Sequence, residues 1–212
     1  MTEPDFLRDT RASYDTVAVD YADLVRDLMA TKTFDRAMLA AFAEHVTGGP
    51  VADLGCGPGR VTAHLHGLGV DAFGVDLSPG MIEVARRTYP DLRFEVGSML
   101  AVDLSDGGLA GVVAWYSIIH VPVDRLPEVF TEFHRVLAPG GTLLLAFQVG
   151  DETVHVSHAY GHDVSIDAYR RRPELVADLL GRSGFAVTAR LVREPEGQEK
   201  TQQAYLMARK PS

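Results

Sequence analysis

A chain of 212 residues, 46% hydrophobic and 23% charged, has room for one sizeable core and lacks the bias of a disordered or fibrous protein. Its formal net charge of −9 excludes a general polyanion binder, because neutralising phosphates takes clustered Lys and Arg. The single cysteine, Cys56, excludes internal disulfides, and the start MTEPDFLRDT lacks the basic and apolar segments of a signal peptide, so a cytoplasmic protein is expected.

Tyr14, Val17, Tyr21, Leu24, Val25 and Leu28 recur at helical spacing and predict a helix over 13–29. Thr33 reads as the N-cap of a second helix with Phe34, Met38, Leu39, Phe42 and Val46 inward, ended by Gly48-Gly49-Pro50. The rhythm then changes. Val51 to Leu54 reads as a short buried strand, followed by a glycine turn and a helix over 61–68. DAFGVD (71–76) is a second strand, and Ser78-Pro79 supplies an N-cap and a first-turn proline for a helix that stops before Pro90. LRFEV (92–96) and GVVAWY (111–116) are the third and fourth strands. The apolar run around the fourth, 109–123, is interrupted by His120 and is too short to span a bilayer, so no membrane partner is expected.

The next helix carries Leu126, Val129, Phe130, Phe133, Val136 and Leu137 on one face. Pro139-Gly140-Gly141 turns the chain into the fifth strand, TLLLAFQV. Beyond 150 the pattern loosens into a hairpin (152–167), a helix from Pro173 to Ser183 capped by Gly184, and strands near 185–193 and 202–209. Arg170-Arg171-Arg172, flanked by Asp167 and Glu174, reads as a solvated helix start. Strands alternating with amphipathic helices mean parallel βαβ units with right-handed crossovers. The expectation is one α/β domain with a doubly wound sheet.

In such sheets ligands bind beyond the carboxyl ends of the strands, which singles out the first strand–helix turn, VADLGCGPGR (51–60). A dinucleotide fingerprint would need a glycine at position 60, where Arg60 stands, and Asp53 would repel a pyrophosphate. S-adenosylmethionine has the opposite charge pattern: no phosphate, and an ammonium and a sulfonium at its methionine end. Asp53 favours that ammonium, directly or through water, while Gly55 and Gly57 let the backbone meet the ligand. Asp76 ends the second strand 19 residues after Gly57, where a carboxylate takes both ribose hydroxyls.

The string VADLGCGPGR…GVDLSPGMIEVAR…HRVLAPGGTLLLAF resembles the class I S-adenosylmethionine-dependent methyltransferases, nearest to the short enzymes that act on small molecules. The resemblance implies a mostly parallel seven-stranded sheet of order 3-2-1-4-5-7-6 with strand 7 antiparallel. It further implies one domain over 1–212: a helical cover (1–32), a cofactor-binding core (33–148), and a hairpin, helix and strand pair (149–212). S-adenosyl-L-methionine would be the cofactor and S-adenosyl-L-homocysteine the product. Leu77 and Met81 would flank the adenine, with core packing as their other use. In Gly97-Ser98-Met99, Ser98 stands where the family often has an acid for the adenine amino group. Tyr116 and Ser117 would border the methionine and the transferable methyl, and Cys56 is a small residue fitting the turn. Two uses are open for Tyr14 and Tyr21, core packing or a lid over the cofactor.

The catalytic candidates are His120 and Tyr116. His120 follows the fourth strand on the ligand side, as a base or as a histidine that only bonds the backbone before Pro122. As a base it would make the rate rise near the ordinary imidazole value of about 6.5. His155, His158 and His162 read as a lid over the substrate or a solvated loop rather than a metal site, and no metal is expected. The family's amino-methylating nucleic-acid enzymes carry an Asn- or Asp-Pro-Pro-aromatic motif, and here the sequence is WYSIIH. A small O- or N-linked acceptor remains, with no nucleic-acid partner, in a monomer or homodimer. The alternatives are a nicotinamide-dependent oxidoreductase and a non-catalytic cofactor-binding module.

Overall fold

Val51 to Leu54, buried at all four positions, form β1 at the middle of the sheet in the computed structural model, which describes residues 3–212. Three helices precede it: α1 (Asp5–Val25), α2 (Leu28–Thr31) and α3 (Thr33–His45). After β1 come α4 (Arg60–Gly67), β2 (Ala72–Asp76), α5 (Pro79–Thr88), β3 (Phe94–Val96) and β4 (Leu109–Trp115). Two short 3-10 turns lead to α6 (Leu126–Val136) and β5 (Leu137–Gln148). The last third is β6 (Thr153–Ala159), β7 (His162–Tyr169), α7 (Pro173–Arg182), β8 (Ala186–Arg193) and β9 (Gln203–Arg209).

Seven strands pair in the order β3-β2-β1-β4-β5-β9-β8, and β6 with β7 forms a separate hairpin. Counting only the strands of the large sheet, this is the expected 3-2-1-4-5-7-6. β9 runs antiparallel to both of its neighbours, and the β1, β2, β3, β4 and β5 pairs are parallel. Successive strand residues face opposite sides, so the sheet needs cover on both. Met38, Leu39 and Phe42 of α3 and Val61 and Leu65 of α4 pack on one face against Val51, Val113 and Trp115. On the other face Phe130 and Phe133 of α6 and Val176 and Leu180 of α7 pack against Val112, Leu143 and Leu145. Each such large side chain contributes about 1.5–3 kcal/mol on full burial.

Ser78 caps α5 as expected, its Oγ accepting from Met81 N at 3.0 Å, with Pro79 at the first helical position. Other boundaries differ from expectation. α1 starts at Asp5, well before 13, and Leu24 of its expected stripe is 66% exposed. Thr33 is the first residue of α3 rather than its cap. Phe34 points outward while Asp35 is buried, because the Tyr205 hydroxyl of β9 donates to Asp35 Oδ1 at 2.6 Å. Pro139-Gly140-Gly141 lies inside β5, which already pairs with β4 through Leu137 and Leu109. Arg171 is not solvated: it is 6% exposed, donates to Val121 O and lies 4.7 Å over the Tyr169 ring. The hairpin turns at Tyr160-Gly161, both at positive φ (53° and 84°), the pattern of a two-residue type I′ turn.

Candidate functional site

The carboxyl ends of β1, β2 and β4 converge on the glycine turn. Gly55 has φ +78°, and a Cβ there would lie 2.2 Å from Ser117 Cβ, so only glycine fits. Ser117 is held against it by donating to Leu54 O at 2.7 Å. Gly57, also at positive φ, has nothing nearer to an added Cβ than Tyr21 Cε1 at 3.9 Å; its surface is open to a ligand.

Every residue nominated from the sequence for cofactor contact, and His120 with them, lines one cleft of about 870 Å³, open mouth included. Asp53 is fully buried on its floor. Its Oδ2 accepts from Thr62 Oγ1 at 2.7 Å, while Oδ1 is buried without a partner. Burial pushes its carboxyl up to about 7, against the pull of Thr62 and Arg60. Asp76 is pushed up to about 6 by burial, offset by two backbone donors: Ser78 N to Oδ1 at 2.8 Å and Gly57 N to Oδ2 at 2.7 Å. Each of its oxygens keeps a second acceptor position.

Met81 is buried between α1 and α5, and it and Leu77 border the cleft, so packing and ligand contact coincide there. Gly97 N donates to Asp76 O at 2.9 Å, which brings Ser98 and Met99 to the same wall. Ser98 Oγ accepts from Leu100 N at 3.2 Å and keeps its hydrogen to donate. Burial beside Asp76 and Asp53 pushes the Cys56 thiol well above its usual range, so it is no nucleophile.

The other wall is α1. Asp15 Oδ1 accepts from Ser78 Oγ at 2.6 Å and Gly80 N at 2.9 Å, pinning the helix to the start of α5. Tyr14 and Tyr21 meet edge to face at 5.9 Å on its cleft side. The hairpin closes over α1: Ser13 Oγ donates to Ser165 O at 3.1 Å and accepts from Ser165 N at 3.2 Å, and His162 Nε2 meets Asp20 Oδ2 at 2.8 Å. His120 joins the three parts. Its Nδ1 bonds Asp167 O at 2.8 Å, and a carbonyl only accepts, so Nδ1 carries the hydrogen. Nε2 is then the acceptor for the Tyr14 hydroxyl at 2.8 Å. Burial lowers His120 to about 4, outweighing the Asp167 carbonyl, and pushes the Tyr14 hydroxyl well up. His155 and His158 meet Asp167 and Asp163 across the hairpin at 2.8 and 3.1 Å, so each hairpin histidine has its own aspartate. Among the described residues no metal-binding group of His, Cys, Asp or Glu forms.

Phe6, Leu7, Thr10, Arg60 and Trp115 also line the cleft and were not nominated. Phe6 and Thr10 had a signal: 6, 10, 14, 17 and 21 continue one helical stripe. Six buried side-chain polar atoms lack a partner among the described residues, and three belong to this cleft: Asp53 Oδ1, Arg60 Nη1 and Trp115 Nε1. Buried polar groups are normally paired. One acceptor beside two donors fits a group bearing both charges, such as the ammonium and carboxylate of an amino acid.

A family model described as a methyltransferase domain matches residues 51–141. The chain is 34% identical over 128 residues to magnesium-protoporphyrin O-methyltransferase of Rhodobacter capsulatus, covering 54% of this chain and 56% of that protein. It is 33% identical over 143 residues to demethylmenaquinone methyltransferase of Beutenbergia cavernae, covering 65% and 57%. The match thus spans little more than half the length of these curated relatives. Among solved structures, the 1,6-didemethyltoxoflavin-N1-methyltransferase of Burkholderia thailandensis, with 1,6-didemethyltoxoflavin and S-adenosylhomocysteine bound, superposes with a TM-score of 0.76 at 19% identity. That superposition covers 100% of this chain and 92% of the other, so the two share a fold.

Proposed function

We propose that this chain, built around a methyltransferase domain, is an S-adenosylmethionine-dependent methyltransferase acting on a small-molecule oxygen or nitrogen acceptor. The observation that carries the reading is the fully buried Asp53 carboxylate, whose Oδ1 has no partner and faces the same cleft as Asp76. Asp53 holds the ammonium, Arg60 and Trp115 the carboxylate of the methionine end. Asp76 takes the ribose hydroxyls on its free lone pairs, and Leu77, Met81, Ser98 and Met99 surround the adenine. Gly55, Cys56, Gly57, Gly97 and Ser117 shape the backbone around it. When bound, S-adenosylmethionine supplies a methyl group already activated by its sulfonium.

The protein's main task is then alignment, which supplies several of the roughly 7–11 kcal/mol available from proximity. Phe6, Leu7, Thr10 and Val121 form the acceptor wall next to His120. Where the acceptor must lose a proton, His120 takes it. Tyr14 Oη accepts the acceptor's N–H or O–H while its own hydrogen moves to His120 Nε2, and the Asp167 carbonyl steadies the ring. α1 and the hairpin form the cover over this wall.

Similarity to enzymes named for magnesium-protoporphyrin, demethylmenaquinone and 1,6-didemethyltoxoflavin supports a small acceptor. The net charge of −9 supports the absence of a nucleic-acid partner. No helix among the described residues is long and apolar enough to cross a membrane. We read the protein as cytoplasmic, a monomer or homodimer. Titration calorimetry with S-adenosylmethionine and with a nicotinamide dinucleotide tests the cofactor, and release of S-adenosylhomocysteine across an acceptor panel tests the reaction. Binding of the dinucleotide alone would make the chain an oxidoreductase. Cofactor binding with no turnover would make it a binding module.

A further inference from the structure

Arg171 is the middle one of three successive arginines at the root of the hairpin. Its neighbours reach outward: Arg170 meets Glu152 at 3.5 Å and Arg172 meets Asp151 at 3.0 Å. Arg171 turns inward, is 6% exposed, and forms no ion pair among the described residues. Its Nη2 donates to Val121 O, its guanidinium lies 4.7 Å over the Tyr169 ring, and its Nε is buried without a partner. Its backbone is fixed as well, N donating to Gln148 O at 2.8 Å and O accepting from Gly150 N at 3.3 Å. Burial lowers the guanidinium to about 10, so it keeps its charge at neutral pH.

A buried cation without a counter-charge is costly, and an apolar side chain of similar volume would pack there without that cost. What an apolar side chain lacks is a donor. The carbonyl that Arg171 serves follows the 3-10 turn Ile118–His120, and Val121 is buried, so water is a poor substitute. Pro122 comes next and brings no N–H of its own. The other end of the turn is already tied, Ser117 Oγ donating to Leu54 O at 2.7 Å. His120 stands between these ties, and its Nδ1 is held by Asp167 O at 2.8 Å. Asp167 and Arg171 thus grip consecutive residues, His120 and Val121, from one segment, with the Tyr169 ring as the platform under the guanidinium. The attraction between cation and ring repays part of the burial.

Resting on the reading of His120 as the base, we propose that Arg171 is a positioning residue, clamping the turn so that His120 Nε2 stays opposite the Tyr14 hydroxyl. Arg171 is not among the residues lining the cleft and acts through Val121, which is. The Tyr14–His120 contact is 2.8 Å, and a displacement of about 1 Å at such a contact can cost about 100-fold in rate. The groups facing His120 are the Tyr14 hydroxyl of α1 and Asp167 of the hairpin, whose carboxylate is engaged by His155 at 2.8 Å. A substitution at 171 alters neither group, which isolates the clamp.

Nitrogen NMR of the His120 ring reads the clamp without any ligand. In the wild type the neutral ring should keep its hydrogen on Nδ1. Arg171→Met loses the donors, and it should move the ring's titration midpoint up by about a unit or more toward the ordinary value of about 6.5. Exchange of the Nδ1 hydrogen should quicken about tenfold or more. Affinity for S-adenosylhomocysteine should stay within about twofold, because the strand-end contacts are untouched. With an acceptor that is turned over, kcat should fall about 10- to 100-fold with little change in KM. Arg171→Lys should recover part of the loss, having a donor but no plane to lie on the ring. Where Arg171→Met does not fold, Tyr169→Leu removes the platform instead and should shift the ring in the same direction by less. An unchanged His120 ring in the folded variant overturns the clamp. A shifted ring with an equal loss of S-adenosylhomocysteine affinity is general loosening and overturns it too. Normal turnover in His120→Ala, or wild-type protein that binds neither S-adenosyl ligand, overturns instead the reading on which the proposal rests, and the ring measurement tells the two failures apart.

Discussion

The two walls of the cleft are held by different means. On the cofactor side Asp53, Gly55, Asp76 and Gly97 sit on strand ends and are tied by backbone bonds, Gly55 N to Val75 O at 2.7 Å and Gly57 N to Asp76 Oδ2 at 2.7 Å among them. On the acceptor side Phe6, Tyr14 and His120 come from a helix and a turn, and side chains join them to the hairpin. The outermost of those links, His162 to Asp20, is 39% and 56% exposed. Exposed pairs of this kind contribute about 0–1 kcal/mol, so the hairpin edge of the acceptor wall is expected to open more readily than the strand-end wall. On the proposed function, a site divided in this way would bind its constant ligand on strand-end backbone and admit a variable one past the hairpin edge.

The largest expected effect lies where the walls meet. His120→Ala should reduce turnover by about 10²–10⁴-fold, the range of a general base, while changing S-adenosylhomocysteine affinity only a few-fold. Tyr14→Phe should follow it if the proton passes through the phenol. The pH profile sharpens the point. His120 with its ordinary value would give a rate rising through about 6.5. Burial instead lowers it to about 4, so the imidazole is neutral above that and the rate should be flat across neutral pH, dropping only toward acid. Stopped kinetics at saturating acceptor would decide, and near-normal turnover in His120→Ala would leave catalysis to alignment alone.

Next in size is the rigid wall. Asp76→Ala should weaken S-adenosylmethionine about 10- to 100-fold, because two bonds to a charged acceptor are lost. Thermal melts must show the variant folded, since Asp76 also ties Gly57 to Ser78. Unchanged affinity would remove the ribose assignment.

The rigid wall was largely legible because its information is local. The glycines, Asp53 and Asp76 sit in short motifs whose strand–turn–helix context is set by neighbouring residues. Ser78-Pro79 announced its helix for the same reason. The misses depend on partners far away in the chain. Asp35 rather than Phe34 faces inward because Tyr205, 170 residues later, waits there. Arg171 is buried because Val121 offers a carbonyl 50 residues upstream. The start of α1 was less legible because the polar, half-buried Thr10 weakens the stripe that Phe6 extends, and Thr10 faces the cleft. Tyr160-Gly161 was a readable hairpin turn, but that the hairpin closes on α1 through Ser13 and Asp20 had no local signal.

Asp53 gives a smaller effect with a definite sign. The free protein holds its carboxyl at about 7, and an ammonium ligand needs it ionised. Affinity for S-adenosylmethionine should therefore rise up to about tenfold per unit as pH climbs toward 7 and level off above it, while adenosine changes less. Stability runs the other way. Asp53 and Asp76, at about 7 and about 6, keep protons in the folded state that their unfolded forms lose near 3.8. Their stabilisation is complete below the unfolded value and is lost as pH rises through the folded ones. Melting temperature without ligand should fall over that window, and Asp53→Asn should flatten the decline.

The smallest expected effect tests the movable wall itself. Ligand binding at the rigid wall reaches α1 through Tyr14 and Tyr21, which line the cleft, and reaches the hairpin through His120 and Asp167. Hydrogen exchange on adding S-adenosylhomocysteine should therefore slow in residues 13–29 and 152–167 as well as around the glycine turn. The gain in the hairpin should be modest, because its outward face stays in solvent. Ser13→Ala removes the one reciprocal tie, in which a single oxygen both donates to and accepts from Ser165. It should cost about 0.5–1.5 kcal/mol of local protection in the hairpin and leave the exchange of β1 and β2 alone. Protection confined to the glycine turn, or equal loss in both walls on Ser13→Ala, would mean the walls move as one body and that acceptor choice is set by the rigid sheet edge.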